Sequence, residues 1–161
     1  MKRNESREIA AGGLIAALYV VLTFVAAAMG IASGAIQVRI SEGLCLLPCL
    51  MPSAVPGLTL GCLLANLLTG CAPWDVVFGT AATLIGAVGT RMMRRTPNLS
   101  WIPPVVSNTV IVPIVLMKVY GVDTAWPLLC LQIFIGEMIS VCGIGLVVYH
   151  LAEKYLKTSH M

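Results

Sequence analysis

The sequence predicts an all-α membrane protein of six transmembrane helices with both termini cytoplasmic. Three observations predict it. The 161-residue chain is 58% hydrophobic and 11% charged, with a mean hydropathy of +0.94, where soluble domains carry about 25% charged residues. Apolar runs near bilayer length recur between Gly/Pro-rich turns. The basic residues also sort to one side once six crossings are drawn. The length suits one membrane domain over residues 1–161, with 1–8 as a cytoplasmic N-terminal segment and 152–161 as a cytoplasmic tail.

The first span is read over Ile9–Met29. No charge interrupts Ile9 to Val38, which is too long for the h-region of a cleaved signal. "GIASGAIQ", Gly30 to Gln37, is a loop of small residues. The second span, Val38–Met51, is short, and Pro52 and Pro56 break the chain after it. The third is Pro56–Thr69; it and the second could instead form one bent re-entrant unit. The fourth, fifth and sixth spans are Trp74–Met92, Trp101–Tyr120 and Trp126–Leu151. In this frame Lys2, Arg3, Arg7, Arg91, Arg94, Arg95, Lys154 and Lys157 lie inside, and only Arg39 and Lys118 lie outside. The tryptophans mark the two interfaces, with Trp74 and Trp126 outside and Trp101 inside.

A net charge of +3 gives no reason to expect nucleic acid as a partner. The six cysteines form no C-x-x-C pair, and His150 and His160 both lie near the C-terminus. The cysteines therefore read as small packing residues; no metal site and no cofactor is expected. "GTAATLIGAVGT", Gly79 to Thr90, lacks the lysine of a nucleotide-binding P-loop and reads as a small-residue packing face. No nucleophile–base pair stands out, so an enzyme is not expected.

The informative residues are the polar ones inside apolar runs. An ionisable group at the centre of a membrane helix costs about 2.5–3.5 kcal/mol on insertion, so its presence points to a purpose. Glu137 lies about 16 Å into the sixth span at the helical rise, with Gly136, Ser140 and Gly143 leaving room around it. Glu137 is either an acid in a ligand cavity or a structural carboxyl between helices. Asn108, between Ser107 and Thr109, either binds a ligand or bridges helices. Asn66 lies near the outer end of the third span. Arg39 and Glu42, three apart, share a helix face; they either neutralise each other or let Glu42 face a cavity with Arg39 positioning it. On the first span Gly12/Ala16 and Gly13/Ala17 form two small-xxx-small pairs, suited to a partner helix or to packing within the chain.

"VRISEGLCLLP", "PSAVPGLTLGCLLANLLTG" and "DVVFGTAATLIGA" resemble the QueT family, substrate-binding S components of energy-coupling-factor (ECF) transporters. The resemblance runs from about Ile9 to the end of the sixth span. It implies an S-component-like six-helix bundle in a bacterial plasma membrane, with the loop after the first helix covering the substrate. It implies a transmembrane coupling protein and two ATPase subunits as partners, docked on Gly12, Gly13, Ala16 and Ala17 although glycine replaces the first alanine of the usual A-x-x-x-A. The implied substrate is a queuosine precursor, a deazaguanine such as the aminomethyl form, or queuine. Glu42 and Glu137 would accept from its N–H edge or its amine, Asn108 would read the carbonyl, and Trp74 would stack on the ring or merely anchor the interface, with Asp75 in reserve. The competing expectation is a small homo-oligomeric channel or exporter of a polar metabolite.

Overall fold

The computed structural model describes residues 2–31 and 36–159, and side chains over 5–31 and 36–158. All regular structure among them is helical. Helix α1 is Lys2–Ala28, α2 is Ala54–Leu68, α3 is Pro73–Met92, α4 is Ile102–Lys118, α5 is Trp126–Glu137 and α6 is Gly145–Ser159. A π-helical stretch, Met138–Ile144, joins α5 to α6 into one rod. Prolines open α3, α4 and α5, where a missing N–H costs no hydrogen bond. Pro113 lies inside α4 without ending it.

The second expected span is not an α-helix. Residues Ile40–Leu44 and Leu47–Cys49 wind as two 3₁₀ turns, which together cover only about 20 Å at ~2.0 Å per residue. Every residue from Ser41 to Cys49 is buried. The physical reason is enclosure: with no face turned to lipid, this segment needs no amphipathic stripe. The Arg91 guanidinium donates to the carbonyls of Pro48 and Cys49 (3.1 and 3.3 Å), capping its far end.

The contacts fix the direction of each pass. Gly12 meets Ser53, while a Cβ on Gly57 would lie 2.7 Å from the Gly12 carbonyl oxygen, and one on Gly61 2.7 Å from the Tyr19 Cβ. Helices α1 and α2 therefore run parallel and nearly touch, which requires the 3₁₀ segment to return the chain between them. Gly86 and Gly89 of α3 abut Pro104 and Pro103 of α4, so that pair is antiparallel. Gly43 packs on Ser140 and Ile144, and Gly145 on Gly43 and Leu46, so the 3₁₀ pass runs alongside the last one in the same direction. The 3₁₀ segment thus runs opposite to α1 and α2, and α4 opposite to α3. Three helices are long and apolar enough to cross a bilayer: Glu5–Ala28, Pro97–Lys118 and Trp126–Thr158.

The core is small and tightly closed, with Ile15, Tyr19, Leu47, Leu58 and Cys62 at its centre. Large apolar side chains coat the outside instead, among them Leu14, Phe24, Leu64, Ile85, Leu131 and Val147. An apolar exterior around a polar-bearing interior fits a protein solvated by lipid.

Candidate functional site

Helix α1 presents Tyr19 and Thr23, one turn apart, to the 3₁₀ pass. The Tyr19 hydroxyl donates to Glu42 Oε1. The Cys45 thiol, one 3₁₀ turn beyond Glu42, donates to Glu42 Oε2 at 2.8 Å. Glu42 is fully buried, so both oxygens of a carboxylate out of reach of water are supplied by the chain itself. Thr23 donates to the Ser41 hydroxyl at 3.0 Å and holds the start of the pass against α1.

Glu137 arrives from the other side as the last residue of α5, with the π-helical stretch beginning one residue later. Such widened turns are frequent at functional positions. Glu137 is 3% exposed and Asn108, beside it, 1% exposed. The Asn108 amide lies within reach of the Glu137 carboxyl, whose Oε2 has no hydrogen-bond partner; a buried acceptor left unpaired costs about 1–3 kcal/mol. Glu42 and Glu137 are close enough to repel each other electrostatically, and the Arg39 guanidinium lies close enough to attract both. Arg39 makes no ion pair with either; the salt bridge among the described residues is Lys157–Glu153 on α6, at 2.9 Å.

A cavity of about 330 Å³ opens next to this centre, though Glu42, Glu137 and Asn108 do not line it. Tyr19, Arg39 and Ser41 line it, while Asn66, Asp75 and Tyr120 stand on its other walls. Tyr120 donates to Asp75 Oδ2 at 2.9 Å and accepts from the Ala72 N–H at 3.1 Å. The strap 37–39 closes the cavity on the side of α5. A Cβ on Gly136 would collide with the Gln37 carbonyl oxygen, so only glycine lets the strap lie beside Glu137. The Val38 N–H donates to the Ile31 carbonyl at 3.0 Å and ties the strap back to the end of α1. Residues 32–35 of the expected Gly30–Gln37 lid lie outside the described residues.

The structure brings Glu42, Glu137, Asn108 and Arg39 together, and sets Asn66 and Asp75 on the wall of the adjacent cavity. It does not bring Trp74 there. Trp74 is 62% exposed, stacks on Phe78 with ring centroids 6.0 Å apart, and lines a separate groove against α4 with Lys118. Of the first-helix residues, Gly12 and Ala16 are buried against α2, whereas Gly13 and Ala17 are open. Sequence reasoning missed Tyr19, Ser41 and Cys45. A lone tyrosine amid "AALYVVLTF" was the available signal, since a phenol within an apolar helix needs a partner.

A lipid-coated helical bundle with two acids and an asparagine in its sealed interior is a membrane protein built around a polar centre. The family model for the QueT transporter matches residues 9–154, and the chain belongs to that family. Over 86 residues it is 34% identical to the queuosine precursor transporter QueT of Lactococcus lactis subsp. cremoris (strain MG1363). That alignment covers 53% of this chain and 50% of the relative, so the chain spans about half the length of the curated relative it matches. No solved structure matches.

Proposed function

We propose that the protein is the membrane-embedded substrate-binding subunit for uptake of a queuosine precursor, a deazaguanine base in free, aminomethyl or queuine form. The observation that carries this reading is a pair of buried polar groups, the Glu137 carboxyl, whose Oε2 has no hydrogen-bond partner, and the Asn108 amide beside it. A guanine-type edge carries N–H donors beside a carbonyl acceptor. It would satisfy both groups at once, and burial would make each bond count. The adjacent cavity, about 330 Å³, is at the small end of the range for ligand pockets and suits a bicyclic base. The name of the Lactococcus lactis relative supports the same substrate class.

The basic residues at the α1 start, the α3 end and α6 support both termini lying in the cytoplasm of a bacterial cell. The sequence has no P-loop, so active uptake requires separate subunits: an ECF transmembrane coupling protein and two ATPases. Gly13 and Ala17, open on α1, are the small residues free to receive the coupling protein.

A thermal-shift panel of queuosine precursors on the detergent-purified chain tests the substrate. A ligand at 100 times its Kd stabilises the folded state by about 2.7 kcal/mol, a readily measured rise in melting temperature. Absence of a shift with every precursor at millimolar concentration would reject the reading.

A further inference from the structure

The groove between α3 and α4 belongs to a different surface from the buried centre. It holds about 510 Å³ and lies on the outside of the bundle. Trp74 and Phe78, one turn apart at the start of α3, form one wall. Ile111, Ile114 and Lys118 of α4, spaced three and four apart, form the other. The helices are antiparallel, so the start of α3 stands beside the end of α4. Trp74, Phe78 and Ile114 are all exposed. Lys118 is the charged residue of this lining. It is exposed, sits in the last turn of α4, and makes no ion pair or hydrogen bond among the described residues. Asp75, next to Trp74 in the chain, is no partner for it: Asp75 lines the 330 Å³ cavity, where Tyr120 donates to it at 2.9 Å.

An apolar trough that ends in an unpaired cation is complementary to a molecule with an apolar chain and an anionic head. The bilayer around the protein supplies such a molecule. We propose that the groove is a specific site for an anionic phospholipid. One acyl chain lies along Phe78, Ile111 and Ile114, and the phosphate group meets the Lys118 ammonium beside the Trp74 indole. Both side chains suit that depth. Tryptophan prefers the level of the lipid headgroups, and a lysine near a helix end extends its apolar stem along the surface until the ammonium reaches the same level. A zwitterionic phospholipid has the same chains but brings its own ammonium, so it gains less from Lys118. Selection therefore falls on the headgroup, and the apolar walls hold the chain.

Tryptophan fluorescence in vesicles tests it. The full chain is reconstituted in phosphatidylcholine, and lipid brominated on its acyl chains, a contact quencher of indole, replaces the host in steps. One series uses brominated phosphatidylglycerol and the other brominated phosphatidylcholine with the same chains. Phosphatidylglycerol is expected to reach half-maximal quenching at about one fifth of the mole fraction that phosphatidylcholine needs. Trp74→Phe is expected to remove the selective part of the quenching. Lys118→Gln, a change at an exposed side chain, is expected to bring the two series together, while Lys154→Gln on α6 leaves them apart. Coincident wild-type series would overturn the proposal, and so would a preference that survives Lys118→Gln or Trp74→Phe. Glycerol phosphate in millimolar excess is expected not to relieve the quenching; relief would mean a site for a soluble anion and would overturn the lipid assignment. If neither lipid quenches Trp74, another occupant such as a second copy of the chain covers the groove, and the proposal falls. All of these outcomes are read without a deazaguanine, so they stand apart from the substrate question.

Discussion

Glu42 and Glu137 have opposite local circumstances, and this gives predictions of opposite sign. Tyr19→Phe removes the donor to Glu42 Oε1 and strands a buried oxygen. It is expected to destabilise the protein by about 1–3 kcal/mol, read as a lower melting temperature in detergent. Glu137→Gln keeps the shape and replaces a carboxyl that has no bonded partner on Oε2. In the absence of ligand it is expected to leave the melting temperature unchanged or raise it. A fall as large as that of Tyr19→Phe would show that Glu137 has a structural role. Cysteine chemistry separates the buried from the accessible in the same way. Cys71 lines the cavity, whereas Cys45 and Cys62 are buried. Maleimide is expected to label Cys71 first, and a bound ligand to slow that labelling.

Two elements depend on close backbone approach. Gly61→Leu would drive a side chain into Tyr19 and the Ala16 carbonyl, prying α1 from α2 and moving the phenol off Glu42. For Gly13→Leu, on the open side of the same helix, the added Cβ meets nothing within 4 Å. The first is expected to lower both stability and ligand binding, and the second neither, by melting temperature and calorimetry. Gly136→Ala should gain helix propensity but lose the seat of the strap at Gln37. Weakened binding with little change in melting temperature is the expected outcome. These elements show what a sequence conveys. The long apolar runs of α1, α4 and α5–α6 were legible because lipid exposure demands uninterrupted hydrophobicity. The 3₁₀ pass was legible only as a short, odd span: neighbouring residues such as Ser41, Cys45 and Cys49 are enclosed from all sides, so no periodicity records the winding.

At the scale of the molecule, glycine pairs rather than loops set the topology. The parallel contact of α1 with α2 uses Gly12 and Ala16, which the sequence marked as docking residues without saying for whom. Small-xxx-small spacing reports close approach but not the identity of the partner. The buried acids were legible individually, because a carboxylate is costly in an apolar run and stands out against it. Their meeting with Asn108 and Arg39 was not legible, since it depends on how passes two, five and six fold together. Nor was the displacement of Trp74: an aromatic at a membrane boundary reads the same whether it faces a cavity or lipid. If Gly13 and Ala17 receive the coupling protein, Ala17→Leu should abolish co-purification of the ATPase subunits while ligand binding by the isolated chain persists.

The enclosed 3₁₀ pass also has a consequence for how the chain enters the membrane. Ile40–Cys49 is about ten ångströms shorter than the ~30 Å hydrocarbon layer, and its entrance carries Arg39 and Glu42. A translocon sampling it alone would find a weak insertion signal. The segment therefore has to be carried in by α1 and α2, whose parallel contact forces the return between them. In an insertion-reporter fusion, residues 38–51 by themselves should fail to integrate. The same residues between α1 and α2 should integrate fully, making this pass a product of assembly and not a precondition for it.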